Sequence, residues 1–402
     1  MLRFLNIGRR CLRASGLTIA LLAPLAGAQA HVSVLYAFKG GADGLSPSSS
    51  VVVDKQGNLY GTTAGGGGLG CGGGGCGTIY KITPYGAETL LYSFKGGEDD
   101  GANPTSLIRD DEGNFYGTTY NGGLQTCYAD CGTVFKLAAD GTETILHFFA
   151  GGNDGQQPIA GLLRDKAGNL YGTTEWGGAG LSVGTAFRIA PDGTETVLYT
   201  FCSLPKCADG ESPISALIMD RGGNLYGTTS WGGTGIGGNV FELKKSGTLK
   251  VLYNFCESCQ TGGVPQAGVI MDRSGNFFGT AAWGGAGCAP YGCGAVFELQ
   301  PDGTETALHA FSPSVDGQSP AAGVIMDSAG NLYGTVGQSK APACKGKPGV
   351  VFSLAPGGAE SIDCISSPLV GGVVERNGML YGAATGEGNF KYPAGFIFAV
   401  RK

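Results

Sequence analysis

The stretch "GNLYGTT", Gly168–Thr174, decides the fold because the chain writes it again and again. "GNLYGTT" opens at Gly57 and Gly223, "GNFYGTT" at Gly113, "GNFFGTA" at Gly275 and "GNLYGTV" at Gly330, and a worn copy, "GMLYGAA", at Gly378. Its aromatic falls at Tyr60, Tyr116, Tyr171, Tyr226, Phe278, Tyr333 and Tyr381, in steps of 48 to 56 residues. A fixed period of this length marks a repeat architecture, in which each unit buries its faces against its neighbours.

Working outward from Gly168, the unit resolves into four apolar segments of strand length. These are "PIAGLLRD" (Pro158–Asp165), "NLYGTT" from Asn169, "GTAFRI" (Gly184–Ile189) and "ETVLYTF" (Glu195–Phe201). In the last, Val197, Tyr199 and Phe201 alternate with Thr196, Leu198 and Thr200, the period of a strand. "DKAGN" joins the first two segments and "PDGTE" the last two. Asp and Gly suit tight hairpins that need a local side-chain acceptor and a positive φ. Each unit therefore reads as a four-stranded antiparallel meander. Seven such units predict a β-propeller rather than a β-helix, whose coils are shorter and contain no hairpins.

The ends argue for a closed ring. The last unit runs "PLVGGVVE", "LYGAA", "GFIFAV" and stops at Lys402 without a fourth segment. "HVSVLYAF", His31–Phe38, matches fourth segments such as "ETLLYSF" at Glu88–Phe94. Val32 to Phe38 is thus expected to complete the last of seven blades.

Before that strand lies a leader. Arg3, Arg9, Arg10 and Arg13 precede an apolar run, Gly16 to Leu25, and "AGAQA" ends in small residues, so cleavage is expected after Ala30. "RRCLR" is short of a full twin-arginine signal, which favours ordinary Sec export. The run is too short to span a membrane comfortably, and no Cys follows the expected cut to carry a lipid. Residues 31–402 are then one exported propeller domain, in the periplasm or outside the cell. They carry 22 basic and 32 acidic residues, a net charge near −10, which argues against nucleic acid and against an anionic membrane surface.

Twelve cysteines remain beyond the leader. Ten fall into close pairs: Cys71/Cys76, Cys127/Cys131, Cys202/Cys207, Cys256/Cys259 and Cys288/Cys293; Cys344 and Cys364 are left to pair with each other. An even count in an exported chain reads as disulfides. Cys256-x-x-Cys259 also has metal-ligand spacing, but the only histidines are His31, His147 and His309, few for a zinc site.

"NLYGTT…GTVFKL…DGTETILHFF…GGNDG…P" resembles the GloVer tandem repeat of exported bacterial proteins. The resemblance runs over about residues 32 to 400, with all four segments matching in order. It implies a propeller and export, and no particular chemistry. Anchored members of that family carry a C-terminal sorting tail, whereas this chain ends on a strand.

With the first segment on the channel, as its small residues suggest, the tight hairpins share one face. The longer connections, from segment two to three and from segment four to the next blade, share the other, the layout of a binding surface. Trp176, Trp231 and Trp283 follow the phrase in three consecutive units, where the others carry Gly65, Asn121, Gln338 and Gly386. They read either as a platform for sugar rings or as packing between blades. Asp43, Asp99, Asp154, Asp209 and Asp316 recur in the loop into the next blade. They could serve Ca²⁺ or acid catalysis, although equal spacing is what repeat-encoded turns produce. Asp54, Asp110, Asp165, Asp220, Asp272 and Asp327 read as hairpin caps. His147 and His309 stand where other units have Tyr92, Tyr199 and Tyr253, and read as tyrosine substitutes.

The leading expectation is a non-catalytic binding module for a glycan or a cell-surface partner, using Trp176, Trp231 and Trp283 with Asp154 and Asp209, without a required cofactor. The alternatives are an extracellular glycoside hydrolase or polysaccharide lyase, for which Glu175 is the asymmetric acid, and a purely structural envelope or matrix protein.

Overall fold

The computed structural model describes residues 32–124, 126–127, 131–178, 183–256, 262–285, 288, 291–386 and 391–402. The expected leader, residues 1–30, lies outside them. Seven antiparallel sheets follow one another in chain order, each a meander, as the repeat predicts. Blade 3 runs Leu163–Arg164, Leu170–Thr174, Thr185–Ile189 and Glu195–Thr200. Blade 7 is built from Leu369–Arg376, Met379–Ala384 and Phe396–Arg401, and its fourth strand is Ser33–Ala37. Ser33 pairs with Ala399 and Ala37 with Phe396, so the ring is closed by the two ends of the chain. The Phe38 N–H continues the ladder to the Gly395 carbonyl at 3.0 Å.

Two local expectations need correction. The first segment forms a regular ladder over only two residues in blade 3. Ahead of the ladders the first segments of neighbouring blades approach one another: Gly161 faces Ala216, Gly372 approaches Gly323 and Ser50, and a Cβ on Gly268 would collide with the Ala216 carbonyl, so only glycine fits there. Strict alternation along Glu195–Phe201 also fails. Ala186 pairs with Tyr199 but Phe187 with Val197, so a bulge at Leu198 breaks the period. Similar register shifts recur in the fourth strands of blades 1, 2, 4, 5 and 7.

The repeated phrase is explained letter by letter. Asn169 donates from its backbone and its side chain to the Asp165 carboxylate, which holds the hairpin. Leu170 is buried, and the Tyr171 hydroxyl reaches the same carboxylate at 3.1 Å. A Cβ on Gly172 would lie 2.6 Å from the Phe187 ring, so only glycine fits beneath it. Thr173 donates to the Ser215 carbonyl of the next blade at 3.2 Å, and Thr174 shares a 2.9 Å hydrogen bond with Thr185. One phrase thus caps a hairpin, fills a core and links two blades.

Aromatic rings complete the interfaces. Phe149 of blade 2 meets Phe187 of blade 3 edge-on at 5.1 Å, and Phe201–Phe241, Phe255–Phe297, Phe311–Phe352 and Phe94–Phe135 repeat the contact. Phe38 meets Tyr80 the same way across the closure, at 5.0 Å. Such pairs add roughly 0.5–1.5 kcal/mol to the apolar area that they bury.

Candidate functional site: the loop face

The second threonine of the phrase also fixes the backbone just beyond it. Thr174 donates to the Trp176 carbonyl at 3.0 Å and Thr229 to the Trp231 carbonyl at 3.1 Å. The same backbone is clamped from the incoming loop, where Gln156 and Glu211 donate to those carbonyls and Gly263 to that of Trp283, at 2.9–3.0 Å. Rigid backbone therefore carries all three indoles at equivalent places in blades 3, 4 and 5.

None of the indoles is buried. Trp176 is 38 % exposed, and Trp231 and Trp283 are half-buried. Trp231 and Trp283 touch edge-on at 5.4 Å, and Tyr291 stacks on Trp283 at 4.5 Å with 22° between planes. The packing reading of the tryptophans thus holds in part, since two of them join neighbouring blades. The aromatic surface they form is open to solvent. Tyr291 escaped the sequence reading, although an aromatic between Cys288 and Cys293 was its available signal.

Disulfides hold this face. Cys71–Cys76, Cys127–Cys131 and Cys288–Cys293 staple loops between second and third strands, and Cys202–Cys207 staples a loop into the next blade. Cys344–Cys364 ties such a loop to the fourth strand of blade 6. Cys256 is disulfide-bonded too, and its expected partner Cys259 lies outside the described residues. The five bridges fit an extracellular or periplasmic protein. Among the described residues no helix is long and apolar enough to cross a membrane.

Where the tryptophans give way to Gly65 and Asn121, a cleft of about 560 Å³ opens between blades 1 and 2. Ser46, Asn103 and Asn121 give it polar walls. Glu175 is half-buried at the edge of the arc. Burial raises its carboxyl above the ordinary glutamate value, and hydrogen bonding from Trp176 pulls only partly against this. Its charge in turn helps burial to raise the Tyr120 phenol.

The recurrent loop acids are engaged within their own turns. Asp154 accepts the Ala150 N–H at 2.6 Å and faces His147 at 3.1 Å. Asp209, fully buried, accepts from the Tyr199 hydroxyl, both Ser203 donors and the Leu204 N–H. In blade 2's approach this role falls to Asp100, not the expected Asp99. Asp100 directly precedes Gly101, and it accepts the Tyr92 hydroxyl at 3.0 Å and the Lys95 N–H at 2.8 Å.

The opposite, hairpin face holds a larger cleft, about 1020 Å³, between blades 3 and 4. Arg164, Lys166, Arg188, Arg221, Lys244 and Lys245 line it, with Asp165 and Asp220 of the hairpin caps. The sequence signal was "KKSG" at Lys244–Gly247, where blades 2, 3 and 5 carry "AADG", "APDG" and "QPDG".

A sequence profile of the Gloeobacter/Verrucomicrobia repeat matches residues 125–347, more than half of the chain. The protein belongs to the Gloeobacter/Verrucomicrobia repeat family. No curated protein matches this repeat protein by sequence. Among solved structures it is similar to a virginiamycin B lyase from Staphylococcus aureus, with a TM-score of 0.59 and 12 % identity over 93 % of this chain and 99 % of that one. It is also similar to a streptogramin B lyase, with a TM-score of 0.60 and 11 % identity over 93 % and 98 % of the two chains. At such identities the likeness is one of fold.

Proposed function

We propose that this Gloeobacter/Verrucomicrobia repeat protein is an exported, non-catalytic binding module whose loop face takes a glycan. The observation that carries this reading is the solvent-open aromatic surface of Trp231, Trp283 and Tyr291, continued by Trp176 in the next blade. Indole and phenol faces pair with the apolar faces of sugar rings, each contact contributing on the order of 1 kcal/mol. The polar cleft beside Asn103 and Asn121 offers amide groups to sugar hydroxyls. Export is supported by the leader sequence and the loop disulfides, which keep the aromatic surface in shape outside a reducing compartment.

The test is a panel of neutral and acidic polysaccharides, read by tryptophan emission and by new reducing or unsaturated ends in the same wells. A saturable emission change without products is expected, and Trp231→Ala/Trp283→Ala should weaken it at least tenfold. An unchanged affinity in that double variant would retire the aromatic surface as the site. One observation favours a second reading: Glu175, its carboxyl raised by burial beside Trp176, has the environment of a general acid. Products that vanish in Glu175→Gln would establish a hydrolase or lyase instead.

A further inference from the structure

We propose that His309, Asp316 and Glu360 form a site for one divalent cation of the zinc type, bridging blades 5 and 6. His309 comes from the fourth strand of blade 5, Glu305–Ala310, and Asp316 from the loop after it. Glu360 begins the fourth strand of blade 6, Glu360–Ile365. One ligand atom from each lies within 4.8 Å of the other two.

Asp316 Oδ2 at 2.5 Å and Glu360 Oε1 at 3.4 Å both converge on His309 Nε2. A ring nitrogen carries one N–H or one lone pair, so it cannot serve two carboxylate oxygens well. Glu360 Oε1 is buried without a hydrogen-bond donor among the described residues, as are the matching oxygens of Glu88, Glu143 and Glu195, so the imidazole beside it is what sets this place apart. A cation placed between the three atoms satisfies all of them. Metal–ligand bonds near 2.0–2.1 Å in a tetrahedral site hold ligand atoms roughly 3.3 Å apart, so a small retreat of Asp316 suffices. Asp316 is anchored for this by the Ser312 N–H at 2.6 Å, and His309 by its edge contact with Phe311 at 5.0 Å. The side chains of His309 and Glu360 keep 20 % and 18 % of their surface exposed, which leaves a water the fourth position.

The repeat itself supplies the control. At the same place blade 1 uses Tyr92 with Asp100, and Tyr36 meets Asp43 at the closure, phenols that donate a proton and offer no nitrogen. His147 is the other imidazole among the described residues, but both oxygens of Asp154 address it, at 3.1 and 3.3 Å, and Glu195 of blade 3, whose carboxyl feels both charges, stays outside ligand distance. Among the described residues only the His309 site brings an imidazole and carboxylates of two blades within 4.8 Å of one another. Imidazole with carboxylate suits zinc, whereas Ca²⁺ and Mg²⁺ prefer all-oxygen cages.

The experiment is isothermal titration of tag-free, chelator-stripped protein with Zn²⁺ and, separately, Ca²⁺, with bound metal counted by mass spectrometry after gel filtration. One equivalent of Zn²⁺ and none of Ca²⁺ is expected. His309→Tyr, which restores the side chain of blades 1, 3, 4 and 7 and so keeps the fold, should weaken Zn²⁺ binding at least 100-fold. His147→Tyr should leave it unchanged. Absence of Zn²⁺ binding in the wild type overturns the proposal. So does full retention in both His309→Tyr and Glu360→Gln, which would place the metal elsewhere.

Discussion

The hairpin face and the loop face are made by the same seven units, yet they obey different rules. On the hairpin face one arrangement recurs: Asp54, Asp110, Asp165, Asp220 and Asp327 each accept an asparagine amide and a tyrosine hydroxyl. On the loop face, one equivalent position carries Gly65, Asn121, Trp176, Trp231, Trp283, Gln338 and Gly386. The first set holds five of the seven blades in one arrangement, which blade 5 varies with Phe278 and blade 7 with Glu375. The second sits on backbone already fixed by threonine and by the incoming loop, so its side chains can change without disturbing the ring. Stability and recognition are separated along each strand pair.

That separation can be broken experimentally, starting with the largest effect. Phe187→Ala removes a fully buried ring shared by blades 2 and 3 and should cost about 3–5 kcal/mol in urea unfolding. Asp165→Ala strands the donors of Ala167, Asn169 and Tyr171, and should cost about 1–3 kcal/mol. Neither loss should depend on a ligand. Burial would raise the Asp165 carboxyl, but donors from Asn169, Tyr171 and Ala167 outweigh it and hold it below its ordinary value. Its contribution is therefore present above about pH 3.8 and fades as pH falls through the lowered value.

A smaller and opposite effect belongs to the outer rim. Burial first, then the nearby charge of Asp100, pushes Glu143 up to about 7. A carboxyl with a raised folded value favours the native state while protonated. That contribution is complete below about 4.5 and is lost as pH rises toward 7. Thermal midpoints at constant ionic strength should decline over that window, and Glu143→Gln should flatten the decline. The smallest expected change is in the stability of Trp231→Ala, within roughly 1 kcal/mol for a half-buried side chain on clamped backbone. Its polysaccharide binding should fall tenfold or more. A large stability loss there would make the tryptophans packing residues and erase the contrast between faces.

The ring was legible because its determinants lie within one repeat: the phrase, the hairpin acids and the displaced fourth strand are all short-range patterns that seven copies amplify. Features that depend on neighbours stayed hidden. The bulge at Leu198 leaves no mark in the alternation of the sequence. Asp99 and Asp100, two adjacent acids, read alike in sequence until Tyr92 selects the second. Tyr291 and the Glu360 carboxyl meet their partners across loops and blades, Tyr291 within blade 5 and Glu360 against blade 5 from blade 6. Local spacing marks the position of each, between two cysteines and at the head of a fourth strand, but not what it meets.

The pairing of Ser33–Ala37 with Phe396–Arg401 joins residues 366 positions apart, as in the Ser33 to Ala399 contact. A chain emerging from its amino end must therefore keep that first strand waiting until the final residues arrive. Every earlier blade can form in passing, but the last sheet edge is paired only once Phe396–Arg401 has been made. Molecules cut short before that strand lack the partner, display an unpaired edge, and are marked as incomplete by their own architecture.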